Sequence, residues 1–76
     1  MKIRVFSTPT CPYCVALELF LQEKEVEFEH VDISVDIASQ KEMVAKTNQM
    51  GVPVIQIDEE WLVGFDKERI LKLLGI

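Results

Sequence analysis

The chain has 76 residues, a length that allows one small domain and excludes a second, so we expect residues 1–76 to fold as a unit. Its 8 basic and 13 acidic residues give a formal net charge of −5. This balance argues against nucleic acid as a partner, because phosphate binding needs a basic face. Hydrophobic residues make up 49% of the chain, which is enough for a compact but thin core.

The same sequence also indicates where in the cell the protein is located. No stretch approaches the roughly 18 apolar residues that a membrane-spanning helix needs. Residues 1–6 begin a strand pattern at once and are too few and too charged for a signal peptide. We therefore expect a cytoplasmic protein, and in a reducing cytosol two cysteines more often serve catalysis or metal binding than structure.

The first part of the chain predicts a strand followed by a helix. Residues 2–7 carry the apolar pattern of a strand. Thr10, at the end of a loop, is the expected N-cap of the helix, and Pro12 suits its first position. The helix should cover residues 13–24, with Cys14, Leu17 and Leu21 on one face and Phe20 on its flank.

The middle of the chain predicts a second strand over residues 26–33 and a second helix over residues 36–47. Ser34 or Asp36 can cap that helix. Its inward candidates are Ile37, Met43 and Val44.

The last part predicts two strands and a helix. Residues 52–57 and 61–63 should pair as an antiparallel hairpin across a polar turn. After Gly64, Asp66 should cap a final helix over residues 67–74, with Ile70, Leu71 and Leu74 inward. The resulting order is β-α-β-α-β-β-α, an α/β arrangement whose first two strands should be parallel.

The only two cysteines stand together in Cys11-Pro12-Tyr13-Cys14. A disulfide closing so short a loop stabilises a fold by roughly 2 kcal/mol, against nearly 5 for a loop of about 100 residues. The pair is thus a poor structural crosslink but is well placed to open and close, which indicates a dithiol–disulfide redox centre. A metal site is the alternative, because two thiolates can form half of a tetrahedral site. Its other ligands would have to come from a second chain, from glutathione or from His30, which the prediction places on the second strand, away from the cysteines.

This order of elements, with the cysteine motif after the first strand, resembles the glutaredoxin branch of the thioredoxin-like superfamily. Three segments carry the resemblance: residues 6–14, residues 51–54, which are similar to the family's cis-proline loop, and residues 63–66, which are similar to its glycine-glycine-x-aspartate segment. The resemblance implies a thioredoxin-like (glutaredoxin) fold, in which a central four-stranded mixed sheet is flanked by three helices.

The resemblance also implies an activity, the reduction of protein or glutathione mixed disulfides. At the start of its helix, Cys11 should be the nucleophile, with the N–H groups of Tyr13 and Cys14 stabilising its thiolate. The more buried Cys14 should resolve the mixed disulfide. Contacts with substrate or glutathione are implied for Pro12, Tyr13, Val52, Pro53, Gly64, Phe65 and Asp66, with a cis bond between Val52 and Pro53.

The electron donor stays open at this point. Thr8 stands where many glutaredoxins carry a lysine, and Val63 stands where the family has the first glycine of its pair. Glutathione is one candidate, and a flavoprotein of the thioredoxin reductase type is the other, as for the redoxins that serve ribonucleotide reductase. We expect a monomer with no bound cofactor or metal, acting on disulfide-containing proteins without nucleic acid or membrane partners.

Overall fold

Four strands and three helices follow one another in the predicted order. The structure is a computed structural model that describes residues 1–76. The elements are β1 (Ile3–Ser7), α1 (Pro12–Glu23), β2 (Glu29–Asp32), α2 (Ile37–Thr47), β3 (Val54–Ile57), β4 (Glu60–Val63) and α3 (Lys67–Leu74). None of the helices has both the length and the apolar character needed to cross a membrane.

The strands form one mixed sheet in the order β2-β1-β3-β4. β1 is parallel to β2, with Phe6 opposite Val31, and antiparallel to β3, with Phe6 opposite Val54. β4 returns antiparallel to β3, which places Val63 opposite Val54. The end of β1, the start of β3 and the end of β4 therefore meet at one edge of the sheet. That edge brings the three resembling segments together.

The sheet separates two apolar clusters because neighbouring residues of β1 point to opposite faces. The larger cluster lies beneath α1 and α3 and contains Ile3, Val5, Leu17, Phe20, Leu21, Ile55, Ile57, Leu62 and Ile70. The smaller lies beneath α2 and contains Phe6, Val31, Ile33, Met43 and Val54. This layering confirms the predicted thioredoxin-like α/β fold.

β2 is shorter than predicted, because its expected first residues close α1 instead. The N–H of Glu25 bonds to the carbonyl of Gln22 at 3.0 Å, and the N–H of Val26 bonds to that of Leu21 at 2.9 Å. Glu25 has a φ of +57°, so the two bonds form a Schellman motif. Val26 is thus the second residue beyond the helix cap and not the start of a strand.

The prediction for α2 is correct in position and wrong in one inward residue. Asp36 is the cap, since its side chain accepts from the N–H of Ser39 at 3.0 Å. Met43 is fully buried and Val44 half-buried, but Ile37 is 52% exposed. Ile37 is the first residue of the helix and has no turn before it to carry it over the sheet.

Candidate active site

Cys11 is the N-cap of α1, and its sulfur fills the capping role. The Sγ atom accepts a hydrogen bond from the N–H of Cys14 at 3.2 Å. The prediction that Thr10 caps the helix is wrong. Because α1 begins at Pro12, the residue before it supplies the acceptor, and a cysteine sulfur occupies the place that a serine or threonine oxygen usually takes.

The surroundings of the Cys11 sulfur favour negative charge. The sulfur lies at the positive end of the α1 dipole, and no acidic residue occupies the first turn. Of the two N–H groups expected to face it, that of Cys14 donates and that of Tyr13 does not. Cys11 is partly exposed, while the Tyr13 side chain beside it is 69% exposed. An incoming disulfide can therefore reach the sulfur from solvent.

Cys14 is more deeply buried than Cys11, and this burial changes its thiol chemistry. Both are free thiols, but Cys14 is 1% exposed. The pKa of Cys14 is raised to about 12, mainly by burial and also by the hydrogen bond with Cys11 and the negative charges of Cys11 and Glu18, while a backbone hydrogen bond from Thr8 acts in the opposite direction. Cys14 therefore stays protonated near neutral pH and cannot compete with Cys11 for an outside disulfide.

The second of the three resembling segments, residues 51–54, leads into β3. The peptide bond between Val52 and Pro53 is cis. Pro53 is buried, and its carbonyl accepts from the N–H of Gly64 at 2.8 Å. β3 begins at Val54 and not at the predicted residue 52, and the N–H and C=O groups of Val52 have no hydrogen-bond partner within the chain. Val52 thus offers an unpaired backbone at the edge where Cys11 lies.

The third of the resembling segments, residues 63–66, connects β4 to α3. Gly64 has a φ of +85°, a backbone conformation that residues with a Cβ rarely adopt. Asp66 caps α3 as predicted, since its carboxylate accepts from the N–H of Arg69 at 3.2 Å. Phe65 packs against Phe20 of α1, with 5.5 Å between ring centroids. These contacts hold the segment between the start of β3 and the side of α1.

One cluster near Cys14 was not among the sequence predictions. Only 20% of the Glu18 side chain is exposed, and its carboxylate contacts Nδ1 of His30. The same Nδ1 atom lies 3.5 Å from Oγ of the buried Ser7. The available signal was the spacing of Cys14 and Glu18, four residues apart and so on one face of α1.

No three or more histidine, cysteine, aspartate or glutamate side chains gather into a group that could hold a metal ion. The ligands that the metal alternative needs would have to come from outside this chain. His30 is turned toward Glu18 and Ser7.

Comparison with known proteins assigns this arrangement to a family. The family model described as Glutaredoxin matches residues 3–62, a range that includes both cysteines and the cis-proline loop. The chain belongs to the glutaredoxin family. Glutaredoxins are thiol oxidoreductases, and the two closely spaced cysteines fit that chemistry.

Individual glutaredoxin relatives support the assignment over most of the chain. The chain is 42% identical over 72 residues to a glutaredoxin-like 8.6 kDa protein of the rubredoxin operon of Clostridium pasteurianum, covering 95% of this chain and 96% of the relative. It is 31% identical over 65 residues to glutaredoxin 3 of Escherichia coli K12, covering 86% and 78%. A crystal structure of a thioredoxin-like protein carrying a T8A mutation superposes with a TM-score of 0.92 at 33% identity, covering 99% and 96%.

Proposed function

We propose that the chain is a dithiol disulfide oxidoreductase of the glutaredoxin type, with Cys11 as nucleophile and Cys14 as resolving thiol. One observation carries the proposal. The sulfur of Cys11 is partly exposed and receives a backbone N–H at a helix start, while the thiol of Cys14 is buried one turn further along. The first sulfur is suited to attack an outside disulfide, and the second can attack only what the first has bound.

The reaction proceeds in two exchanges. The Cys11 thiolate attacks one sulfur of the substrate disulfide, forming a mixed disulfide, and the other substrate sulfur leaves as a thiolate that takes up a proton. Cys14 then loses its proton and attacks the Cys11 sulfur. The Cys11–Cys14 disulfide forms and the second substrate thiol is released, so the substrate gains two electrons and two protons. Two glutathione molecules, or the dithiol of a reductase, return the cysteines to the reduced state.

Substrate recognition is assigned to the three segments at the sheet edge. Tyr13, 69% exposed, provides an aromatic surface beside the sulfur. The unpaired backbone of Val52 can bond to an extended substrate, as an added strand does at a sheet edge. The remaining proposed contacts are those of Pro12, Pro53, Gly64, Phe65 and Asp66.

A redoxin recycled by a thioredoxin reductase is the second candidate, and two side chains favour it. Thr8 offers no positive charge to a glutathione carboxylate. Val63 is 52% exposed beside Gly64 and adds bulk at the place where the family has glycine. A protein substrate such as ribonucleotide reductase is compatible with either donor. In both cases the reactive dithiol is the same.

Single replacements of the cysteines test the dithiol assignment. We expect Cys11→Ser to abolish disulfide reduction, because no other exposed thiol exists. Cys14→Ser should retain the first exchange and accumulate mixed disulfides with protein substrates, which mass spectrometry detects. Full activity of Cys11→Ser would contradict the proposal.

The electron donor is identified by reducing the oxidised protein in two ways. One reaction contains glutathione, glutathione reductase and NADPH, and the other contains thioredoxin reductase and NADPH. The faster reaction identifies the donor class. Failure of both to reduce the Cys11–Cys14 disulfide would count against the enzyme assignment itself.

A further inference from the structure

A shallow groove of about 250 Å³ lies between α1 and the start of α3. It is lined by Ala16, Leu19, Phe20, Glu23, Phe65 and Lys67. No segment of this chain fills it, and none of the steps described above uses it. The mostly apolar lining is suited to a non-polar side chain.

The groove adjoins the segment that we propose recognises the substrate. Phe65 lies between Gly64 and Asp66, in the segment assigned to substrate recognition. On α1, Tyr13, Ala16 and Phe20 are separated by three and four residues and so share one helix face. That face leads from the side of the Cys11 sulfur into the groove. A substrate bound at Cys11 can therefore extend along it without crossing another element.

The floor of the groove is aromatic. The rings of Phe20 and Phe65 meet edge to face, and Nζ of Lys67 lies 5.6 Å from each ring centroid. Leu19 stands beside them with 56% of its surface exposed. One exposed leucine is ordinary on a protein surface, but one next to an aromatic floor completes a site that an apolar group can fill.

The charges at the rim do not favour an ionic ligand. Lys67 and Glu23 both line the groove, and Nζ of Lys24 lies 5.9 Å from the ring centroid of Phe20, so charges of both signs surround an occupant. A strongly anionic or cationic side chain would gain from one and be repelled by the other. An uncharged apolar side chain is therefore the occupant that the lining favours.

We propose that this groove binds a large apolar side chain of a protein disulfide substrate, located three or four residues from the substrate's reactive cysteine. The spacing follows from helix geometry. Leu19 is eight residues beyond Cys11, which at a rise of about 1.5 Å per residue is about 12 Å along α1. An extended peptide covers about 3.3 Å per residue, so three or four residues span the same distance. The inference rests on the proposed function and assigns it a substrate class.

Glutathione is too short to use the groove. It is a tripeptide with the cysteine in the middle, so each of its other residues is one position from the sulfur. A protein substrate with a suitably placed leucine, methionine or aromatic residue gains a contact that glutathione lacks. The groove therefore favours protein disulfides over glutathione disulfides.

A larger cavity of about 380 Å³ lies at the opposite end of the molecule, lined by the ends of the chain and the residues that follow α1. It has no continuity with Cys11, and nothing in the structure shows what would fill it. We propose no function for this cavity.

The test compares synthetic peptides joined through their single cysteine to a reporter thiol. One peptide has phenylalanine four residues from the cysteine, a second has it one residue away, and a third has alanine in both places. In the wild-type protein the first peptide should show the highest kcat/KM, by about tenfold, which is typical of filling an apolar pocket. The gain should appear in KM.

Two variants of equal charge change complete the test. Leu19→Glu should remove the advantage of the first peptide. Val35→Glu is the matched control, because Val35 is 77% exposed and lies outside the groove. All three proteins should reduce bis(2-hydroxyethyl) disulfide, which is too small to reach the groove, at the same rate.

Each outcome has a definite meaning. Equal rates for the three peptides, or equal losses in Leu19→Glu and Val35→Glu, would overturn the groove assignment while leaving reduction of the small disulfide intact. Absence of small-disulfide reduction by the wild-type protein would overturn the proposed function, and the groove assignment with it.

Discussion

Two cysteine side chains of the same chemistry differ in exposure and in hydrogen bonding through position alone, and the proposed roles rest on that difference. Cys11 caps α1 with its sulfur at the dipole's positive end, and Cys14 is enclosed by the core one turn later. A serine in place of Cys11 would cap the helix equally well. Cysteine at this position thus combines an ordinary structural role with the thiol that we propose reacts, and the helix start favours the negative charge that the proposed reaction needs.

The Glu18 carboxylate should influence the resolving step, because its negative charge contributes to the raised pKa of Cys14. Glu18→Gln removes that charge, so we expect the pKa of Cys14 to fall from about 12. It should stay above the ordinary value, since burial is the main cause. The pH profile of the resolving step should move to lower pH. Rapid-mixing measurements on a preformed Cys11 mixed disulfide, repeated across pH, give this profile.

Glu59→Gln is the matched control for that measurement. Glu59 lies exposed in the turn between β3 and β4, so the change in charge is the same but remote from Cys14. An equal displacement in both variants, or a displacement to higher pH in Glu18→Gln, would contradict a specific action of Glu18.

The environment of Cys14 also shows what sequence reasoning missed at the residue scale. The motif itself predicts the pair of cysteines and their order of burial. The contact of Glu18 with His30 joins residues 12 positions apart on two elements, and it depends on how α1 lies over the end of β2. No local pattern encodes that packing, so a lone histidine and one glutamate among several looked ordinary.

At the scale of elements, both ends of every helix were predicted to within one residue, whereas the start of β2 was not. Asp36 and Asp66 follow the strong preference for aspartate at N-caps. The turn that closes α1 uses Glu25 in a left-handed conformation, where glycine is usual, and so it carries no recognisable turn signal. The next residue, Val26, then seemed to begin a strand.

Asp66 has two proposed roles that substitutions can separate. Asp66→Ala removes the cap of α3 and should lower the free energy of unfolding by about 1 kcal/mol. In a domain of this size that corresponds to a fall in Tm of about 4–8 °C. Asp66→Asn keeps a capping oxygen but loses the charge, so it should preserve Tm. If Asp66 also meets the glutathione amine, Asp66→Asn should raise KM for glutathione. Calorimetry and steady-state kinetics measure the two effects.

Asp36→Ala serves as the control, because Asp36 caps α2 on the opposite face of the sheet. It should lower Tm without changing KM for glutathione. A loss of glutathione affinity in Asp36→Ala equal to that in Asp66→Asn would assign the effect to stability and not to contact.

At the scale of the whole molecule, α2 depends on an ion pair as well as on its small core. Met43 is the one residue of α2 that is fully buried. The guanidinium of Arg4 on β1 reaches Glu42 of α2 with two hydrogen bonds of 3.0 and 2.9 Å. The same group lies 4.9 Å from the ring centroid of Phe6 and 5.7 Å from that of Trp61. Arg4 thus connects the sheet to α2 over an aromatic surface.

The ion pair of Arg4 and Glu42 predicts that the free energy of unfolding depends on pH. The hydrogen bonds from Arg4 hold the pKa of Glu42 below its ordinary value of 4.5. A carboxylate with a lowered folded-state pKa stabilises the fold above its unfolded pKa and loses that effect as pH falls through the folded value. Glu42→Gln should therefore destabilise the protein at pH 7, by less than about 1 kcal/mol because the pair is partly solvated. The difference should shrink below about pH 4.5. Urea unfolding at several pH values measures it.

A double-mutant cycle with Arg4→Met isolates the pair. In the Arg4→Met background, Glu42→Gln should have no effect on unfolding at either pH. A destabilisation that persists in that background, or that grows as pH falls, would show that Glu42 acts through another group.

Of all the features of the molecule, the overall architecture was the one best predicted from the sequence. The order of elements and the parallel and antiparallel pairings follow from apolar patterning and connection lengths, and the structure confirms them. The meeting of Val52, Val63 and the end of β1 at one edge follows from strand order, for which the family resemblance was needed. The groove between α1 and α3 was beyond prediction, since it depends on the packing of Phe65 against Phe20.

The capping sulfur of Cys11 has one more consequence. When that atom is joined to a partner it becomes a weaker acceptor for the amide of Cys14, and the first turn of α1 is less well capped. The backbone at the start of α1 thus depends on whether Cys11 is a free thiol or part of a disulfide. A reductase that docks there would meet a slightly different surface in each redox state.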